Sequence, residues 1–294
     1  LPLGDRAVVL DGGLSDELAA RGHDLSGGLW TARLLAEDPG ALLAAHRAYL
    51  AAGAEVLTTA SYQASFGGFA RWGADRAAAE RLFGESVRLA RRAAAGRRAW
   101  VAASVGPYGA VLADGGEYRG RYGLSVAELT RFHRPRIEAL AAAGPDVLAL
   151  ETVPDVDEAE ALLRAAEGCG VPVWLSYTVA GGRTRAGQPL ADAFAVAAGN
   201  AQVLAVGVNC CAPGEVAPAV RLAAEVTGRS AVAYPNSGEA WDVERGRWHG
   251  PAGLAGDAAG EAAVAWRAAG ARLIGGCCRV GPAAIARMAA ALAA

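Results

Sequence analysis

Eight times along this chain a short run rich in valine, leucine and alanine breaks off in a polar or glycine-rich turn. The runs are AVVLDGG (7–13), EVLTTASY (55–62), AWVAASVGP (99–107), DVLALETVP (146–154), PVWLSYT (172–178), VLAVGVNCC (203–211), SAVAYPNSG (230–238) and ARLIGGCCR (271–279). Nearly unbroken apolar character is what a strand covered on both faces requires. Between the runs lie alanine-, leucine- and arginine-rich segments with helical spacing, such as LLAAHRAYLAAG and AELTRFHRPRIEALAAAG. Strands alternating with amphipathic helices make a parallel sheet under helices. Eight such units in 294 residues predict an α/β fold, a closed (β/α)8 TIM-type barrel and not an open doubly wound sheet. The AAG that precedes runs two, four and eight predicts helices stopped by a C-terminal glycine. No linker, low-complexity tract or shift in composition divides the chain, so a single domain over 1–294 is expected.

Composition narrows the chemistry. All 28 Lys+Arg residues are arginine. Without lysine there is no pyridoxal-phosphate or aldolase Schiff base, no Walker-type phosphate-binding lysine, and no lipoyl or biotinyl attachment point. Arginine cannot substitute, because its guanidinium does not deprotonate. A net charge of −2 with mixed signs predicts no nucleic-acid partner. The densest basic stretch, Arg88, Arg91, Arg92, Arg97 and Arg98, reads as a solvated helix face whose positive end complements the helix dipole. No uncharged apolar run reaches the roughly 18 residues of a membrane helix, so no membrane partner is expected. Asp5 and Arg6 interrupt any signal-like apolar core, and the expected location is the cytoplasm. A monomer or homodimer is expected.

In a parallel barrel the C-terminal strand ends converge on one face. Those ends carry Asp11, Thr58, Thr59, Ser104, Glu151, Tyr177, Thr178, Asn209, Cys210, Cys211, Asn236, Cys277 and Cys278. The five cysteines, four of them in adjacent pairs, do not look like a disulfide framework. Cys210/Cys211 and Cys277/Cys278 end runs six and eight, which a single strand separates, so their thiols can meet across the barrel mouth. Clustered thiolates point to zinc, which accepts tetrahedral sulfur ligation. Three cysteines would leave an open catalytic position and four would close the site; spacing leaves the choice open. Gly275 and Gly276 are expected to free the backbone to turn the second pair inward. Cys169 reads as an ordinary buried cysteine. Two segments, 108–123 and 237–250, exceed what a strand-to-helix connection needs and read as substrate loops bearing aromatic surface. The carboxylates of Asp11 and Glu151, set at the mouth, suit a substrate ammonium group.

GVNCC at 207–211 and GGCCR at 275–279 resemble the zinc-binding motifs of the homocysteine S-methyltransferase family. The resemblance extends through DGGLSDELAARG (11–22), LTTASYQASFGGF (57–69), SVGPYGAVLADGGEYRGRY (104–122), LETVPDVDEAEALL (150–163) and YPNSGEAWD (234–242). It implies Cys210, Cys277 and Cys278 as ligands of Zn2+, with Cys211 a neighbour. It further implies that Asp11, Gly12, Gly13, Glu151 and Asn209 hold homocysteine. The reaction implied is methyl transfer from a sulfonium donor, S-methylmethionine or S-adenosylmethionine, to the thiolate of homocysteine, giving methionine. No enzyme base of high strength is needed, because the substrate sulfur is the nucleophile. Three protein thiolates and a substrate thiolate leave the site formally negative, which favours a cationic donor. Trp30, Tyr62, Tyr108 and Trp241 are candidates for cation–π contact with it. Betaine-using relatives carry a C-terminal extension, and only 16 residues follow Cys278. Gly27 and Gly28 depart from the bulkier polar residues of related sequences. Two alternatives remain: a methyltransferase of another small thiol or selenol, and a non-catalytic barrel closed by four cysteines.

Overall fold

The computed structural model describes residues 3–25, 29–242 and 247–294, with backbone alone for 240–242, 247 and 248. Gly27 and Gly28 and the Trp241 side chain lie outside the described residues. The eight apolar runs form strands β1 (Val8–Val9), β2 (Val56–Thr58), β3 (Trp100–Val105), β4 (Val147–Val153), β5 (Val173–Tyr177), β6 (Val203–Asn209), β7 (Ser230–Tyr234) and β8 (Ala271–Ile274). Each pairs in parallel with its neighbour in sequence, and β1 pairs with β8. A parallel bridge from Leu10 to Val56 joins β1 to β2, so the sheet returns on itself as a barrel.

Among the helices of the described residues, eight cover the outside of the barrel: α1 (Pro39–Ala51), α2 (Arg76–Ala94), α3 (Val126–Ala142), α4 (Val156–Ala166), α5 (Leu190–Ala195), α6 (Val216–Thr227), α7 (Ala258–Ala268) and α8 (Pro282–Ala293). Their starts are written in the sequence. Asp38 accepts from the Ala41 N–H, Asp75 from that of Ala78, and Ser125 with Glu128 closes a capping box at α3. Their ends are written too: Gly53, Gly144 and Gly270, the last letters of the three AAG stops, all take positive φ. The arginine-rich stretch lies where expected, with Arg91 and Arg92 in the last turn of α2 and Arg91 paired to Asp146 at 2.6 Å.

Burial divides into two layers. Leucine, alanine and valine on the helix-facing side of the sheet pack under the helices. Inside the barrel, Val8, Leu10, Val56, Val147, Val232 and Leu273 pack with alanines around one large residue, Trp174, whose indole N–H bonds the Tyr234 hydroxyl at 2.9 Å. Small residues opposite one indole suit the narrow interior of an eight-stranded barrel. Trp174 thus plugs the interior below the mouth, and Tyr234 links that plug to the site above.

Both long segments leave C-terminal strand ends as expected. The first folds into a short helix, Tyr108–Leu112, and a tight turn, Gly116–Tyr118; the second contains a hairpin of Ala240–Asp242 with Arg247–His249. A small hairpin at Val179–Ala180 and Arg183–Thr184 follows β5, which the apolar pattern did not mark. Among the described residues no helix is long and apolar enough to cross a membrane.

Candidate metal centre and substrate cavity

Cys210 directly follows β6, and Cys277 and Cys278 lie in the loop after β8. Their sulfurs meet: Cys210 Sγ is 3.0 Å from Cys277 Sγ and 3.6 Å from Cys278 Sγ, and the latter two are 4.0 Å apart. Zn–S bonds of about 2.3 Å imply tetrahedral edges near about 3.8 Å, so a small contraction or expansion of this triangle accommodates zinc. Among the described residues these three cysteines form the one group of ligand atoms able to hold a metal ion. Hydrogen bonds from Cys277 and Cys278 hold the Cys210 thiol well below the usual range, while the same contacts raise its two partners. Cys210 is buried and its two partners half-buried, and the charge of Arg185 adds to the lowering at Cys210.

Cys211 goes elsewhere. It is buried in the apolar layer under the helices, where desolvation pushes its thiol well up. The neighbour on a strand end faces the opposite way. A closed four-cysteine site does not form. Cys211→Ala is expected to keep the metal and cost about 1 kcal/mol of stability, checked by metal analysis and denaturant titration. Cys169 is half-buried at the end of α4, accepting from Gln202 Nε2 at 3.3 Å.

The loop after β8 is held by backbone bonds on both sides. Cys277 N–H donates to Pro235 O at 2.7 Å and Cys278 N–H to Asn236 Oδ1 at 3.1 Å, tying it to the end of β7. Arg279, at φ +65°, donates its N–H to Asp16 Oδ2 at 2.7 Å. Positive φ falls on Cys210 (+50°) and Arg279 and not on Gly275 or Gly276. Those two glycines provide space instead of conformational freedom: a Cβ on Gly275 would lie 2.7 Å from Asp11 O, and one on Gly276 would collide with Val280. Gly13 serves the same approach from the other side, since its Cβ would lie 2.7 Å from Cys277 O. Gly12 is closed in by the Val280 carbonyl and the Tyr49 ring. Because a backbone carbonyl cannot rotate away, Gly13→Ala is expected to displace Cys277, lower metal occupancy and destabilise the fold by about 1–3 kcal/mol. Metal content per chain and a denaturation midpoint measure both.

Two buried carboxylates face the thiols. Asp11 accepts the Thr58 N–H at 2.7 Å and the Thr58 hydroxyl at 2.8 Å. Glu151 accepts from Ser104 Oγ and, at 3.0 Å, from the Tyr234 hydroxyl. Burial pushes each carboxyl up to about 7, against the pull of these bonds. Ionised carboxylates in so dry a place call for a cation. Next to Glu151 the chain kinks: Thr152 takes φ +57° and the β4–β5 register shifts. A β-branched residue rarely adopts that conformation. Asn209 holds it, accepting the Thr152 N–H and donating to Thr152 Oγ1, both at 2.7 Å. Ser176 Oγ adds a third bond to Asn209 at 2.9 Å.

One cavity joins these parts. Asp11, Gly12, Gly13, Glu151, Asn209, Cys210, Cys277 and Cys278 all line it, so the residues expected to hold the metal and homocysteine are brought together. Trp30 and Tyr62 line it as well. Tyr108 does not: it packs against Tyr122 and Phe132 with ring centroids 5.3 and 4.9 Å away. Sequence reasoning missed Tyr118, whose hydroxyl lies 3.3 Å from Cys210 Sγ, and Glu117 beside it. Their signal was the length of the 108–123 segment, which marked the loop without ranking its residues.

The sequence model of the family described as homocysteine S-methyltransferase matches residues 8–292. The chain belongs to the homocysteine S-methyltransferase family. It is 44% identical over 294 residues to the homocysteine S-methyltransferase of Escherichia coli (strain K12), covering 96% of this chain and 94% of that one. Against homocysteine S-methyltransferase YbgG of Bacillus subtilis (strain 168) it is 41% identical over 298 residues, covering 96% and 93%. The crystal structure of the metallated form of the homocysteine methyltransferase MmuM from Escherichia coli matches with a TM-score of 0.85 at 42% identity, covering 97% of this chain and 96% of that one. The barrel and the family inferred from the paired-cysteine motifs are both borne out. This homocysteine S-methyltransferase family member is an enzyme of the methyltransferase class, with its three-cysteine group set in a cavity that two buried carboxylates share.

Proposed function

We propose that this protein is a single-domain, zinc-dependent methyltransferase that moves a methyl group from a sulfonium donor to homocysteine, giving methionine. The observation that carries the reading is the triangle of Cys210, Cys277 and Cys278 sulfurs opening on the cavity that Asp11 and Glu151 line. Those three cysteines would hold Zn2+; bound there, the ion supplies deprotonation of a coordinated substrate thiol, whose pKa is otherwise near about 8.5.

The protein's own residues do the rest. Asp11 and Glu151 take the ammonium group of homocysteine, and the Thr58, Ser104 and Tyr234 donors fix where their charge points. Gly12 and Gly13 keep the floor of the cavity free of side chains at the point where β1 approaches Cys277. Asn209 acts on the substrate through the Thr152 kink, which its amide locks. The Tyr118 hydroxyl steadies the Cys210 sulfur. Trp30 and Tyr62 present aromatic faces to a cationic donor. Because an in-line attack needs only position and a dry site, no general base is required of the chain. S-Methylmethionine and S-adenosylmethionine are the donors this site suits.

The test is a methyl-transfer assay on homocysteine with zinc-loaded protein, offering S-methylmethionine, S-adenosylmethionine and betaine in turn. Methionine is expected from a sulfonium and not from betaine. Transfer that persists undiminished after complete zinc removal would overturn the reading.

A further inference from the structure

The cavity holds a third carboxylate besides the two proposed above for homocysteine. Glu117 is 7% exposed, lines the cavity, and its Oε2 is buried with no hydrogen-bond partner. A buried carboxylate oxygen left unpaired is costly, so a position that keeps one awaits a donor from outside the chain. The turn that carries Glu117 is firmly placed. Gly116 N–H donates to Asp114 Oδ1 at 2.9 Å, the Tyr122 hydroxyl donates to Gly116 O at 3.3 Å, and Gly109 packs so closely that a Cβ there would meet Glu117 N at 2.5 Å. The next residue in that turn, Tyr118, touches Cys210 Sγ at 3.3 Å. Glu117 thus lies on the wall beside the thiols, contributed by a different loop from those carrying Asp11 and Glu151.

We infer that Glu117 is the subsite for the primary ammonium group of the sulfonium methyl donor. The inference rests on the methyltransferase reading above, in which Asp11 and Glu151 take the ammonium of homocysteine. Two amino-acid substrates in one cavity bring two ammonium groups, and the chain provides a separate acidic place for each. The sulfonium itself is the wrong partner for Glu117. Its charge disappears as the S–CH3 bond breaks, so a carboxylate beside it stabilises the ground state more than the transition state and slows transfer. The ammonium keeps its charge throughout and can be held tightly without that penalty. Betaine cannot satisfy Glu117, since its quaternary nitrogen has no N–H to donate. A site built around a hydrogen bond rejects the analogue that lacks it.

The test uses the zinc-loaded enzyme and Glu117→Gln, which keeps the shape and removes the charge. Steady-state assays compare S-methylmethionine with trimethylsulfonium, which has the reacting group but no amino group. Calorimetric titration of S-methylmethionine into each protein gives a readout independent of turnover. Loss of one charge-assisted hydrogen bond predicts a KM and a dissociation constant for S-methylmethionine raised about ten- to a hundredfold, with kcat and the KM for homocysteine changed less than about twofold. The preference for S-methylmethionine over trimethylsulfonium should fall by the same factor. Unchanged donor affinity in the variant, or a homocysteine KM that rises as much as the donor's, overturns the subsite. If the wild-type protein binds S-methylmethionine and Glu117→Gln weakens that binding while neither methylates homocysteine, the subsite stands and the methyl-transfer reading falls.

Discussion

Cys277→Ala is expected to purify without zinc and to methylate homocysteine at least about a thousandfold more slowly than the native enzyme, since a metal's contribution of several kcal/mol corresponds to three decades or more. The loss should be disproportionate to the atoms removed. Cys277 Sγ is 3.0 Å from Cys210 Sγ, and the hydrogen bond from Cys277 is the largest influence lowering the Cys210 thiol. Removing it leaves two sulfurs 3.6 Å apart and lifts the Cys210 thiol back toward neutrality. The site then loses both a ligand and the poise of the remaining pair. Cys211→Ala is the matched control, because Cys211 is buried among apolar side chains and not in the cavity. Metal content by elemental analysis and methionine formation, measured on both variants, separate a thiol of the triangle from the buried Cys211. Full activity and zinc in Cys277→Ala would end the three-thiol account.

The contrast between the adjacent Cys210 and Cys211 shows what a sequence can and cannot state. The eight apolar runs fixed the barrel because strand burial on two faces leaves a pattern in the letters. Strands six and eight flank strand seven by the order of a barrel, so the meeting of the two cysteine pairs is legible in the letters alone. Which member of the first pair turns inward came from the family resemblance and not from spacing, because spacing says nothing of local backbone such as the φ of +50° at Cys210. The glycines before Cys277 misled for a related reason. Glycine in a sequence signals freedom or closeness alike, and only the approach of Asp11 O and Val280 shows that closeness is what Gly275 and Gly276 provide. Tyr108 and Tyr118 are ten residues apart in one loop, yet one packs on Phe132 and the other reaches Cys210. Loop side chains carry no periodicity, so nothing in the letters distinguished them. Asp11 and Glu151 were readable as mouth residues from strand ends, but their high pKa follows from burial that no motif encodes.

That burial sets up the second large effect. Glu151→Gln is expected to lower kcat/KM for homocysteine by about a hundredfold or more, as breaking a buried charge pair typically costs about 2–5 kcal/mol. Glu151 is the better position to change than Asp11. Asp11 accepts from the Thr58 backbone N–H, which cannot turn away from an amide NH2, whereas the Ser104 hydroxyl beside Glu151 can rotate to accept from one. The fold of Glu151→Gln should therefore survive, and a thermal melt verifies it. The discriminating substrate is 4-mercaptobutyrate, homocysteine without its amino group: the native enzyme should prefer homocysteine strongly, and the variant should lose most of that preference. The same charge predicts a pH dependence. With the free carboxyls at about 7, both are ionised above that pH and bind an ammonium. As pH falls through 7 they take up protons that substrate binding must expel, so the apparent affinity for homocysteine weakens. The weakening should be absent for 4-mercaptobutyrate, which separates it from protonation of the thiols, a change that affects both substrates alike. Equal pH profiles for the two thiols, or a preference for homocysteine that survives in Glu151→Gln, would remove the carboxylate from substrate recognition and leave it a structural bond between Ser104 and Tyr234.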